Sequence, residues 1–169
     1  MSDRIDVSLI LPSRNEAANI ATSIDRAKQV LTGCNFEIII VDDNSPDGTS
    51  DIVRDIAATD HRVRIIERIG RRGLASACIE GAMAASGRVI AVMDADLQHD
   101  EAILPGLVQT VLDDEAELAV GSRYVGDGGT GDWQDDRKAK SALATRLARI
   151  TMKTELSDPM SGFFAVKAD

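Results

Sequence analysis

Short apolar runs alternate along the chain with stretches whose apolar residues recur at helical spacing. Val7–Leu11 (VSLIL) predicts a first strand, closed by Pro12. Asn15 then stands where a helix cap belongs, ahead of a helix over about residues 16–31 with Ile20, Ile24, Ala27 and Leu31 on one face. Phe36–Val41 (FEIIIV) is a β-branched run that predicts a buried strand. The turn residues Asp42-Asp43-Asn44-Ser45-Pro46-Asp47-Gly48 follow it, then a helix at about 49–58. The alternation continues with a strand at Val63–Glu67, an Ala-rich helix over Gly73–Ser86 and a strand at Arg88–Met93. A helix over about 101–113, a strand at Leu118–Gly121 and a Gly-rich loop at 126–131 precede a basic helix. Strand alternating with helix, with no repeat and no linker, predicts one domain over 1–169. Its expected class is α/β, a doubly wound, mostly parallel sheet with helices on both faces. Ligands in such sheets bind beyond the carboxyl ends of the strands. The polar strand ends Pro12–Glu16, Asp42–Asp47 and Asp94–Asp100 are therefore expected to converge on one edge.

Composition narrows the classes. At 169 residues and 44% hydrophobic, the chain supports one sizeable core. Two cysteines, Cys34 and Cys78, are too few for a disulfide scaffold and read as buried free thiols. No apolar run approaches the roughly 18 residues of a membrane span, and Met1-Ser-Asp-Arg carries no signal-peptide pattern. The expected location is cytoplasmic. A net charge of −9 argues against nucleic acid as a partner. Residues 137–153 run the other way, with Arg137, Lys138, Lys140, Arg146, Arg149 and Lys153 and no acid. Leu143, Leu147 and Ile150 share one helical face there and Arg146, Arg149 and Lys153 another. That pattern fits a helix lying on an anionic membrane surface, and equally a helix packing its apolar face on the sheet.

Asp94-Ala95-Asp96 is the one Asp-x-Asp of the chain and sits at a strand end. In extended backbone both carboxylates address the same side, which suits a hard divalent cation shared with phosphate oxygens. Asp42-Asp43 ends the second strand; a carboxylate there can accept from a nucleobase or ribose, and the same residues also suit a tight turn. Gly126–Gly131 matches G-x-G-x-x-G, but it comes late in the chain and is followed by Asp132, Asp135 and Asp136, which would repel pyrophosphate. A dinucleotide site is rejected on that ground. His61 and His99 have no partners at triad or metal-ligand spacing; His61 reads as a surface loop residue, and His99 lies close to the Asp-x-Asp.

Five segments then occur in order: Pro12-Ser13-Arg14-Asn15-Glu16, Val41-Asp42-Asp43-Asn44-Ser45-Pro46-Asp47-Gly48-Thr49, Met93-Asp94-Ala95-Asp96-Leu97-Gln98, Gly121-Ser122-Arg123-Tyr124-Val125 and Ser157-Asp158-Pro159-Met160-Ser161-Gly162-Phe163-Phe164. Together they resemble family 2 glycosyltransferases of the GT-A fold, and within them the dolichol-phosphate (polyprenol-phosphate) mannosyltransferase branch. The resemblance runs from about Val7 to Lys167. It implies an inverting transfer of mannose from GDP-mannose to a dolichyl or polyprenyl phosphate, with Mg²⁺ or Mn²⁺, at the cytoplasmic face of a membrane. Carried over by motif, Pro12, Arg14, Glu16, Val41 and Asp43 contact the nucleotide with Asp42 close by, and Asp94 and Ala95 line the nucleotide-sugar site. Asp96 and Gln98 hold the metal. Arg123 reaches donor or acceptor phosphate, and Arg137 with the basic helix faces the acceptor. Arg14 stands where the family usually has Tyr, and Gly73-Leu74-Ala75 where it usually has Gly-Leu-Gly. Family members continue for several tens of residues past the position of Asp169, so the chain reads as a catalytic domain lacking its C-terminal part.

The implied chemistry is coherent. A metal at Asp96 offsets charge developing on a nucleoside diphosphate leaving group. A phosphate monoester, with a second pKa near 6, is largely a dianion at neutral pH and needs no general base. Two other readings stay open: a UDP-sugar enzyme acting on the same lipid class, and a nucleotide-sugar-binding fragment with little activity.

Overall fold

A computed structural model describes residues 4–122 and 161–168. Its elements are β1 (Val7–Ser13), α1 (Ile20–Val30), β2 (Phe36–Asp42), α2 (Thr49–Thr59), β3 (Val63–Glu67) and α3 (Leu74–Ala84). After these come β4 (Val89–Val92), a single 3₁₀ turn at Glu101–Ile103, α4 (Leu104–Leu112), β5 (Leu118–Val120) and β6 (Phe164–Lys167). One six-stranded sheet has the order β3-β2-β1-β4-β6-β5. β1 pairs in parallel with both β2 and β4, and β2 with β3. β6 is antiparallel to β4 and to β5.

The central strands β1 and β2 are buried at every residue, because helices cover both faces of the sheet. Side chains alternate across a strand, so Val7, Leu9 and Leu11 join Ile38 and Ile40 under α1, α2 and α4, while Ile10, Ile39 and Val41 lie under α3. α3 approaches closely because it carries Gly81: a Cβ there would stand 2.6 Å from Ile10 Cγ2. The two inner faces also bury polar groups. Glu37, 6% exposed in the middle of an apolar run, accepts from Ser8 Oγ at 2.6 Å, from the Ser86 N–H at 2.8 Å and from Arg64 Nε at 3.0 Å.

One strand was not anticipated: β6 is inserted antiparallel between β4 and β5. Two expectations are corrected. α1 starts at Ile20 rather than near Glu16, after a turn in which the Asn19 and Ile20 N–H groups both donate to Glu16 O. Pro12 does not end β1, which runs to Ser13. The Met93 N–H donates to Ile10 O, so by alternation Pro12 also faces β4. Lacking an N–H, Pro12 cannot extend that ladder, which stops at Ile10↔Val92, whereas the ladder with β2 continues to Ser13↔Asp42. β1 and β4 therefore part at their carboxyl ends, at the point where the strand order reverses.

Candidate functional site

A cleft of about 330 Å³ opens at that reversal point, lined by Pro12, Ser13, Arg14, Glu16, Asp43, Gly73, Leu74, Ala77, Asp94, Ala95 and Asp96. The expected convergence of polar strand ends is what the sheet produces. One wall is made by zipping two loops together. The N–H groups of Asn15, Glu16 and Ala17 donate to Ser45 Oγ (2.8 Å), Thr49 Oγ1 (3.0 Å) and Asp47 Oδ2 (3.0 Å). Asn15 and Asn44 both take left-handed backbone, at φ 59° and 55°, which Asn tolerates better than most residues. Asp47 also accepts from the Thr49 hydroxyl at 2.6 Å. That bond first, and the Ala17 N–H second, hold its carboxyl below the usual carboxylate range.

The two aspartates that end β2 have different surroundings. Asp42 is fully buried and accepts from Ser13 Oγ, Ser45 N–H, Ser45 Oγ and Ser50 Oγ at 2.6–3.1 Å. It fastens the loop from behind the cleft. Asp43 lines the cleft. Its Oδ1 accepts from Arg68 Nη1 at 2.7 Å and its Oδ2 from the Gly73 N–H at 2.8 Å. The Val41 side chain belongs to the core beneath α3 and also stands behind the cleft.

On the opposite wall Asp94 and Asp96 are half-buried and Ala95 is buried between them, its carbonyl taking the Ser23 hydroxyl at 2.8 Å. Leu97 is held at φ 62°, a region that costs a bulky residue on the order of 1–3 kcal/mol. The turn it makes lets the Gln98 N–H donate to Asp96 Oδ1 at 3.1 Å. Gln98 itself is exposed just outside the lining. His99 Nε2 lies 3.3 Å from Asp94 Oδ2, and its ring packs on Phe163 with centroids 5.2 Å apart. Because Val92 pairs with Phe164, the start of β6 arrives at this edge. A Cβ on Gly162 would meet Asp94 Oδ2 at 2.6 Å, so a larger residue there would push the Asp94 carboxylate aside. The Ser161 hydroxyl ties the segment to Gly121 O at 2.7 Å.

The donor set fits a divalent cation of the kind that keeps waters and phosphate oxygens as ligands. Among the described residues no three His, Cys, Asp or Glu side chains cluster into a protein-only cage. Such ions need only one or two carboxylates, and Asp94 and Asp96 offer two at one wall of the cleft. Gln98 stands beside them with an amide oxygen.

A family model described as "Glycosyl transferase family 2" matches residues 8–169. The chain belongs to glycosyl transferase family 2. Within this family it is 39% identical over 165 residues to the dolichol-phosphate mannosyltransferase of Pyrococcus furiosus, covering 96% of this chain and 46% of that protein. The chain spans about half the length of the curated relatives it matches. Among solved structures it resembles the glucosyl-3-phosphoglycerate synthase of Mycobacterium tuberculosis in complex with Mn²⁺, UDP-glucose and phosphoglyceric acid. That match has a TM-score of 0.70 and 24% identity, and covers 97% of this chain and 57% of the other. It also resembles the mannosyltransferase PcManGT of Pyrobaculum calidifontis in complex with GDP-Man and Mn²⁺, with a TM-score of 0.65 and 23% identity over 98% of this chain and 45% of the other. These likenesses establish the GT-A fold for this family 2 chain.

Of the residues singled out in the sequence, Pro12, Arg14, Glu16, Asp43, Asp94, Ala95 and Asp96 share the cleft. Arg123, Arg137, the Gly-rich loop and the basic strip 137–153 lie outside the described residues. No helix among the described residues is long and apolar enough to cross a membrane. The cysteines are free and half-buried, and burial pushes both thiols up, with Asp94 adding to the effect at Cys78. Arg68 and Gly162 were missed. Arg68 belongs to none of the segments singled out, Gly162 lies in one of them with no role given to it, and only the folded chain shows what they touch.

Proposed function

We propose that this chain carries the donor site of an inverting, metal-dependent glycosyltransferase that moves mannose from GDP-mannose to a dolichyl or polyprenyl phosphate. The observation that carries the reading is the single cleft at the β1/β4 reversal, which has Asp43 on one wall and the Asp94–Asp96 pair on the other. The 39% identity to a dolichol-phosphate mannosyltransferase supports the choice of sugar and acceptor.

In this reading Pro12, Arg14, Glu16 and Asp43 receive the nucleoside. Arg14 lays a planar guanidinium against the base, a stacking role open to Arg. Asp43, an acceptor-only carboxylate when ionised, takes donors from base or ribose. Asp94 and Ala95 border the sugar, with His99 and Gly162 fixing the Asp94 carboxylate. Asp96 and Gln98 hold Mg²⁺ or Mn²⁺, which supplies charge stabilisation to the departing diphosphate. Arg123 and Arg137 meet phosphate, where guanidinium forks are suited. The acceptor dianion attacks without a general base, and among the described residues no nucleophile–base pair lines the cleft. We extend the reading to a peripheral position on an anionic membrane, on the charge of residues 137–153.

Calorimetric titration with GDP, UDP and GDP-mannose, with and without Mn²⁺, tests the donor assignment. Tight, Mn²⁺-dependent binding of GDP over UDP is expected. Preference for UDP would replace the donor, and absence of nucleotide binding would overturn the reading. Mannosyl transfer to a polyprenyl phosphate tests the acceptor, and sedimentation with anionic against neutral vesicles tests the surface.

A further inference from the structure

Arg68 is among the largest fully buried side chains of the molecule, 1% exposed, yet it carries a charge that no nucleotide can reach. It follows β3, and its own N–H extends the ladder by donating to Asp42 O at 2.8 Å. From there the guanidinium runs beneath the cleft to α3. Nη1 donates to Asp43 Oδ1 at 2.7 Å and to Gly73 O at 3.1 Å, and Nη2 donates to Ser76 Oγ. Nε is buried without a hydrogen-bond partner but lies 3.3 Å from Glu80 Oε1, whose second oxygen pairs with Arg71 at 3.2 Å. The guanidinium therefore joins Asp43 to the first turns of α3. The Gly73 N–H closes the link from the other side, at Asp43 Oδ2.

We propose that Arg68 is a positioning residue that sets affinity and selectivity for the nucleoside half of the donor, acting through Asp43 without touching ligand. This rests on the donor-site reading above. A carboxylate has about four lone-pair sites, and here each oxygen of Asp43 spends one on a donor from the α3 side. Those two bonds fix the plane of the group, so its remaining sites face the cleft in one orientation. The lone pairs left over from the ion pair with the guanidinium act as acceptors toward the cleft. The ligand half it recognises must then present N–H or O–H donors, as a guanine edge or a ribose does.

The test uses Arg68→Met, which keeps length and removes every donor, and Arg68→Lys, which keeps the charge. Two probes separate the halves of the site: GDP with Mn²⁺, and inorganic pyrophosphate with Mn²⁺. Only GDP carries groups for Asp43. Arg68→Met should weaken GDP about tenfold or more, the loss expected of one charge-assisted bond, and leave pyrophosphate within about twofold. Arg68→Lys should recover part of the loss. In an Asp43→Ala background Arg68→Met should have no further effect on GDP, because both changes act on one contact. Should Arg68→Met fail to fold, Ser76→Ala loosens the same strut and should give a smaller loss with the same split. Equal losses on both probes, or full additivity with Asp43→Ala, would overturn the positioning role. Wild-type protein that binds neither probe would overturn the donor-site reading, and this proposal with it.

Discussion

Asp96 accepts only the Gln98 N–H, on Oδ1; among the described residues Oδ2 has no protein donor. That oxygen is therefore available to a cation that brings its own remaining ligands. Asp96→Ala should lower Mn²⁺-dependent GDP affinity at least about tenfold and leave metal-free binding and the circular dichroism spectrum unchanged. Unaltered Mn²⁺ dependence would remove Asp96 from the metal site. Asp94 depends on its neighbour in space, Gly162. Gly162→Ala puts a methyl group against Oδ2, at the end of a side chain, so the carboxylate moves and the fold does not. The variant should lose GDP–Mn²⁺ affinity with its melting temperature little changed, and normal affinity would show that Asp94 tolerates displacement. The Asp-x-Asp was legible in the sequence because it is the one such spacing and directly follows an apolar strand. Arg68 and Gly162 were not, since an arginine after a strand and a glycine ahead of a short apolar run have many ordinary explanations.

Between elements, polar ties do what propensity does not. Asp60, just past α2, accepts three bonds from Arg62, two of them from the guanidinium, and pairs with Lys28 of α1 at 2.8 Å. The Arg62 bonds first, then Lys28, hold its carboxyl far below the ordinary value near 4. A carboxyl that binds its proton more weakly folded than unfolded stabilises the fold fully above that ordinary value. The contribution fades as pH falls through the lowered one. Urea midpoints measured from pH 6 down to pH 3 should fall for wild type and fall less for Asp60→Asn; parallel curves would show that the tie adds nothing. The same kind of tie explains where the sequence misled. Asn15 looked like a cap for α1, but its backbone is left-handed at φ 59° and the Ala17 N–H that its side chain would cap donates to Asp47. The β-branched runs of β1, β2 and β3 announced themselves. β6 did not, because Phe164–Lys167 is short and its two partners, β4 and β5, come from distant parts of the chain.

For the molecule as a whole, ligand and fold are linked. A site shared by β1, β2, β4 and the start of β6 exists only when the sheet is closed, so GDP with Mn²⁺ should raise the melting temperature. At a free concentration one hundred times the dissociation constant the gain is about 2.7 kcal/mol. The gain should vanish on adding EDTA, and a shift indifferent to EDTA would show binding elsewhere. The inserted strand also sets an order of assembly. β3, β2, β1 and β4 are contiguous in the sheet and come first off the ribosome, so they can pair while synthesis continues. Among the described residues β5 has no hydrogen-bonded neighbour in the sheet except β6, and must wait with an unpaired edge until β6 emerges. Only then does Gly162 come against Asp94. The nascent chain thus completes the Asp94 wall of its donor pocket only after the rest, when β6 slides into the gap between β4 and β5.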